Sequence, residues 1–256
     1  MERSATTTVS TGTATGSSST VDRRPVAVVT GASQGLGFEL ALALGRDGWA
    51  LVIDARRADR LDVAAERLAR VTDVRAVTGD ITDPAHRAAL ARAAAELGTV
   101  HLVVNNASTL GASPLPTLSD IDPDVLRRVF DVNVVAPLAL IQTLDGQLDR
   151  DATVVNITSD AAIEPYETWG GYGASKAALE HASRVLAAER PDLRVLVVDP
   201  GDMRTEMHQD AFPGEDISDR PEPSASVPGL LALVHGDQPS GRYEARGVRV
   251  PESRTA

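Results

Sequence analysis

The chain has 256 residues, 43% of them hydrophobic, with no cysteine and a formal net charge of −11. That length fits a single α/β domain able to bury a sizeable core, while the missing cysteine excludes disulfides, thiolate catalysis and cysteine-held metals. The acidic balance, with arginines scattered among carboxylates, excludes a general nucleic-acid surface, which needs clustered Lys and Arg.

Residues 1–24 open the chain with Thr, Ser, Gly and Ala and almost no large apolar side chain. Such a segment cannot offset the entropy of ordering, so a disordered extension is expected there. A single domain over 25–250 and a tail over 251–256 follow. The extension lacks the apolar core of a secretory signal, and no run reads as long and apolar enough to span a bilayer. A cytoplasmic protein without a membrane partner is therefore the expectation.

In chain order, apolar runs at Val26–Thr30, Ala50–Ala55, Val74–Thr78, His101–Asn105, Thr153–Thr158 and Val195–Val198 predict buried parallel strands, with a short seventh near Gly241–Ala245. Helical patterns separate them at about 38–47, 61–71, 85–97, 122–148 and 173–189. This alternation predicts an α/β fold, a doubly wound parallel sheet of about seven strands covered on both faces. The histidines, His86, His101, His181, His208 and His235, show no zinc-like pairing. No metal is expected, and His208 reads as a solvated loop residue.

Two local patterns carry chemistry. Thr30-Gly31-Ala32-Ser33-Gln34-Gly35-Leu36-Gly37 lies between the first strand and the first helix. A strand, a glycine turn and a helix N-terminus hold a pyrophosphate through free backbone N–H groups and the helix dipole. Gly31 suits the tight turn, Gly35 the approach of phosphate and Gly37 helix-to-strand packing. Further on, Tyr172 and Lys176 stand four apart, on one helix face, with Ser159 upstream at a strand's carboxyl end. An adjacent cation favours the phenolate; bringing a tyrosine from a pKa of about 10 to about 7 takes roughly 4 kcal/mol. A tyrosine so tuned is a general acid/base for a hydroxyl or carbonyl oxygen.

Together these motifs resemble those of the short-chain dehydrogenase/reductase family, Gly-x-x-x-Gly-x-Gly followed by Tyr-x-x-x-Lys in a Rossmann-type architecture. Asp80 in Gly79-Asp80-Ile81-Thr82, Asn105-Asn106-Ala107-Ser108, Asn133, and Pro200-Gly201-Asp202-Met203-Arg204-Thr205 match further family segments in order, from about Arg24 to about Tyr243. In the second of these, serine replaces the family's glycine at Ser108.

The resemblance implies an NAD(P)-dependent oxidoreductase. Gly31, Ser33, Gln34, Gly35, Leu36 and Gly37 would cradle the cofactor. Asp80, with Ile81, would meet its adenine; Asn106 and Ala107 would line its path; Pro200, Gly201 and Thr205 would cover its carboxamide. Tyr172 would exchange a proton with the substrate oxygen, Ser159 would orient that oxygen, Lys176 would tune Tyr172 and hold the ribose, and Asn133 would hold a relay water. Aligned from Gly48, the acidic position that selects NAD falls on Ala55, with Arg56 next, which favours NADP(H) because guanidinium matches phosphate. NAD(H) stays open, since a one-residue slip of the strand would turn Asp54 to the ribose. The family's basic residue before the second glycine is replaced by Gln34.

A small-molecule carbonyl or alcohol substrate is implied. Tyr166, Trp169, Met203, Met207 and Phe212 either form its apolar pocket or close the loops on the body, and Met203 to Asp219 reads as a mobile lid. Thr205-Glu206-Met207 resembles the same segment of sepiapterin- and diketone-type reductases. Two alternatives are a non-catalytic NADP-binding scaffold and an extended-type sugar-nucleotide epimerase, the second needing a larger C-terminal region. The resemblance also implies a homodimer or homotetramer built through the helices at about 122–148 and 173–189.

Overall fold

The computed structural model describes residues 24–249. The extension expected over 1–24, apart from Arg24, and the tail over 251–256 lie outside the described residues. Seven parallel strands form one sheet: β1 (Val26–Val29), β2 (Ala50–Ala55), β3 (Val74–Thr78), β4 (Val100–Asn105), β5 (Leu148–Ile157), β6 (Arg194–Asp199) and β7 (Gly241–Glu244). Their order is β3-β2-β1-β4-β5-β6-β7, so the chain reverses direction across the sheet between β1 and β4. Ligand clefts form at such a switch point, outside the carboxyl ends of the strands.

Strand parity divides the core. Ala27, Val29, Leu51, Ile53, Leu102 and Val104 face one layer, made by α1 (Gly35–Arg46), α2 (Ala58–Leu68) and, later in the chain, the helix Val227–His235. Val26, Val28, Ala50, Val52 and Val100 face the other, made by α3 (Pro84–Leu97) and the long helical segment that follows β4. Fully buried Leu40, Leu44, Leu61 and Leu68 pack on the first side, and Leu90, Leu140 and Leu144 on the second.

The helix expected over 122–148 is interrupted. It runs as α4 (Pro123–Phe130), a π-helical turn (Asp131–Val135) and α5 (Ala136–Leu144), then tightens into a 3₁₀ turn (Asp145–Gln147). β5 therefore starts at Leu148, earlier than the expected Thr153. Contrary to the sequence reading, the stretch Pro123–Gln147 does have the length and mean hydropathy of a spanning helix; its Val129, Val132, Leu140, Ile141 and Leu144 are buried within the fold. β3, read as buried, is an edge strand with Arg75, Ala76 and Thr78 exposed. α6 (Gly170–Glu189) starts a turn earlier than expected, and two helices follow it, α7 (Glu206–Ala211) and α8 (Val227–His235).

α8 closes the first layer against the turn after β7. A Cβ built at Gly229 would lie 1.8 Å from the Ala245 carbonyl oxygen. Gly-to-Ala in an open helix gains about 1 kcal/mol, but overpacking costs about 1–3 kcal/mol, and backbone cannot step aside as a side chain does. G229A is therefore expected to lower stability by about 1–2 kcal/mol, read as a lower urea midpoint; a raised midpoint would contradict this packing.

Candidate active site

The sheet's switch point opens into a cleft of about 1450 Å³. Every site residue expected from the sequence borders it except Gly37 and Asn133, which stand behind its wall.

The floor is the turn from β1 into α1. Gly31 and Gly35 adopt φ of 66° and 58°, the left-handed region that glycine tolerates. A Cβ at Gly37 would lie 2.5 Å from Asn106 Nδ2 and 2.6 Å from the Gly31 carbonyl, so α1 can approach β4 only with glycine there. A Cβ at Gly35 would have one neighbour, a Thr205 methyl at 3.7 Å, which leaves that side of the turn open. α1 begins with no side-chain cap on its N–H groups. Uncapped helix donors beside an open glycine face suit a pyrophosphate, so these residues fit a dinucleotide.

The turn is pinned from three sides. Asn106 Nδ2 donates to the Thr30 and Gly31 carbonyls at 2.8 and 3.1 Å, and Thr30 Oγ1 accepts the Asn106 and Ala107 N–H groups at 3.0 Å each. From behind, Asp54 Oδ1 accepts the Gly31 N–H at 2.7 Å while its Oδ2 meets His86 Nε2 at 2.9 Å. Asp54 is 2% exposed. Parity explains its direction: Asp54 shares a sheet face with Ala50 and Val52, over α3, whereas Ala55 shares the other with Leu51 and Ile53. Both carboxylate oxygens of Asp54, left open for a ribose contact, are engaged with the Gly31 N–H and His86. Ala55 and Arg56 border the cleft beside it.

Further along the cleft, Asp80 Oδ1 accepts the Thr82 N–H and hydroxyl at 2.9 and 2.8 Å, and its Oδ2 pairs with Arg128 of α4. Burial would raise this carboxyl, but the Thr82 and Arg128 bonds outweigh it and hold it at about 2. Asp83, not Asp80, caps α3, accepting from Ala85 N–H at 2.8 Å.

At the other end, α6 sets Tyr172 and Lys176 in the wall, 8% and 2% exposed. Lys176 Nζ lies 5.5 Å from the Tyr172 ring centroid and donates to the Ile157 carbonyl at 2.8 Å. Burial lowers Lys176 to about 8. The Tyr172 phenol is pushed well above its ordinary value by burial and then by Asp199, against the opposing hydroxyls of Ser108 and Ser159. Burial acts on both groups, raising the phenol and lowering the ammonium.

Ser159 Oγ donates to Asp160 at 2.8 Å and accepts the Ala161 N–H at 3.2 Å, capping the turn before the cleft rim. Asn133 sits in the π turn with its amide fully engaged. Its Oδ1 accepts from Ser108 Oγ at 3.0 Å and Thr109 N–H at 2.9 Å; its Nδ2 donates to the Thr109 carbonyl at 2.9 Å and Ser175 Oγ at 3.0 Å. Ser108 is a site residue that the sequence reading passed over, although its departure from the family's glycine was the visible signal.

Around the phenol, Trp169 packs edge-on to Tyr172 at 5.7 Å and also on Phe212 at 5.8 Å. Met207 joins that cluster, while Met203 packs on the main core. The two readings of these residues are thus divided among them: the aromatics both close the loops and line the cleft. Thr205 Oγ1 accepts the His208 N–H at 3.1 Å and caps α7. His208 is not solvated as expected. It stacks at 5.0 Å from Phe212, with Nε2 buried and unpartnered, and burial lowers its pKa.

Comparison with known proteins agrees with this geometry. A model of the family described as short chain dehydrogenase matches residues 25–216. The chain is 35% identical over 196 residues to sepiapterin reductase of Xenopus laevis, covering 71% of this chain and 74% of that protein. It is 33% identical over 196 residues to tropinone reductase-like 3 of Erythroxylum coca, covering 75% of each. A short chain dehydrogenase structure from Salmonella enterica serovar Typhi aligns with a TM-score of 0.79 at 30% identity, over 88% of this chain and 96% of that one. An alcohol dehydrogenase of Thermococcus sibiricus complexed with 5-hydroxy-NADP gives 0.78 at 25% identity, over 86% and 95%.

Two measurements check the site. D54A frees the Gly31 N–H and is expected to weaken NADPH and NADH alike, whereas R56A weakens NADPH far more; the reverse pattern in nucleotide titrations would return Asp54 to the ribose. Lys176, about 8 when folded against an ordinary 10.5, holds its charge at neutral pH at a cost of about 3 kcal/mol. Below pH 8 that penalty is fully present, and it fades as pH rises toward 10.5 because only the unfolded chain still binds the proton. K176M is thus expected to be more stable than wild type at pH 7 by about 1–3 kcal/mol, with the gap closing toward pH 10; a pH-independent gap would refute the buried ammonium.

Proposed function

Since the chain belongs to the short chain dehydrogenase family, oxidoreductases acting on CH–OH and C=O groups with NAD(P), we propose that it reduces a small-molecule ketone or aldehyde with NADPH, Tyr172 serving as general acid. The observation that carries this reading is the buried Tyr172 phenol, with Lys176 beside it, at the end of a cleft floored by the Gly31–Gly37 turn. When bound, the cofactor supplies the hydride.

The chain's own residues do the rest. Ser159 and Ser108, whose hydroxyls oppose the rise of the Tyr172 pKa, would orient the substrate oxygen. Tyr172 gives that oxygen its proton, and a phenol held above its ordinary pKa is in the acid form that reduction requires. The phenolate left behind is stabilised by Lys176 on the same helix face. Asn133, its side chain engaged with Ser108 and Thr109, positions Ser108.

The 2′-phosphate of NADPH is matched by Arg56, which borders the cleft and forms no ion pair among the described residues. Two relatives named as reductases, of sepiapterin and of the tropinone reductase-like kind, support a ketone as substrate. Trp169 and Phe212 suit an apolar body beside its carbonyl. We further place the protein in the cytoplasm as a homodimer or homotetramer; exposed Val135 and Val185, on the segment between α4 and α5 and on α6, support assembly through those helices.

Y172F is expected to abolish turnover nearly completely while NADPH affinity stays within a few-fold. Steady-state reduction of a carbonyl panel beside nucleotide titration separates the two effects. Substantial reductase activity in Y172F would remove Tyr172 from its assigned role.

A further inference from the structure

Three arginines follow β2, and the structure treats them differently. Arg56 lines the cleft; Arg57 pairs with Asp59 at 2.9 Å. Arg60, within α2, spans the cleft. Its Nη2 donates to Glu206 Oε1 at 3.3 Å, its Nη1 to Glu206 Oε2, and Nη1 also meets Gln34 Oε1. Gln34 Nε2 donates to Glu206 Oε2 at 2.6 Å. Gln34 stands beside Gly35 in the phosphate turn and Glu206 begins α7, so one cluster joins both walls of the cleft.

A guanidinium meets a carboxylate and a phosphate with the same two-pronged geometry. Arg60 and the Gln34 amide therefore form a ready oxyanion site, and the Glu206 carboxylate fills it. We propose that Arg60 determines specificity for the 2′-phosphate of NADP(H), and that Glu206 occupies its guanidinium until that phosphate displaces it. This rests on the cofactor reading given above.

The charges favour such an exchange. A phosphate monoester brings about two negative charges against the single charge of Glu206; NADH brings none at that position and leaves the pair intact. Glu206 also begins the helix that carries Met207 and His208 to the substrate end, so the exchange releases α7 from α2 only when the phosphorylated cofactor arrives.

Fluorescence titrations of wild type, R60A, E206Q and the double variant with NADPH and with NADH, at one ionic strength, test this. Both side chains are partly exposed, at 32% and 53%, so the variants are expected to fold. E206Q should tighten NADPH about three- to fivefold and leave NADH unchanged. R60A should weaken NADPH about tenfold with little effect on NADH, and in the R60A background E206Q should no longer matter. Unchanged NADPH affinity in both single variants, with wild type still preferring NADPH, overturns this inference alone. So does an E206Q gain that persists without Arg60, which marks a general charge effect. Wild type that binds neither nucleotide, or both equally, refutes the cofactor reading and this inference with it.

Discussion

The glycine turn that floors the cleft depends on the bond from the Gly31 N–H to the buried Asp54 carboxylate. A carboxylate almost wholly out of water is tolerable only with partners for its oxygens, here a backbone donor and His86. Those partners tie three elements together: β2 through Asp54, α3 through His86 and the glycine turn through Gly31. Asn106 and Thr30 secure the same turn from the β4 side. The cradle is thus rigid although its glycines are the most permissive residues in the chain, and rigidity is what lets backbone N–H groups bind without reorganising.

At the opposite end the site is built against its own stability. A phenol and an ammonium are buried side by side, and desolvation acts on both. The surroundings compensate below them. Buried Glu180, one turn further along α6 than Lys176, accepts from Thr158 Oγ1 at 2.8 Å and Arg242 Nε at 3.1 Å, and Arg242 reaches on to Asp199 at 3.1 Å. This network joins α6, which carries Tyr172 and Lys176, to β6 and β7. Placing strained chemistry on a well-tied helix is how a fold keeps function at a cost in stability.

Much of this was legible in the sequence for identifiable reasons. Central strands buried on both faces read as continuous apolar runs, and β1, β2 and β6 lie close to where those runs predict them. The glycine turn and the Tyr172–Lys176 spacing are local, so sequence distance conveys spatial distance. What stayed hidden was non-local or collective. The π turn at Asn133 follows no residue pattern, and β3 was read as buried because its composition does not disclose an edge. Asp54 needed parity plus the position of His86 on α3. The fate of Lys176 turns on burial, which helix spacing does not convey. Glu206 and Arg60, 146 positions apart, meet only because the chain after β6 folds back over α2.

The proposed reaction transfers a hydride to a carbonyl carbon, with the proton supplied by Tyr172. The most direct measurement is incubation of the wild-type protein with NADPH deuterated on the transferable side of the nicotinamide, alongside a panel of ketones and aldehydes, with mass analysis of the products. An alcohol carrying one deuterium on its carbinol carbon is expected. An alcohol without deuterium, or nucleotide recovered fully labelled across the whole panel, would contradict that reaction.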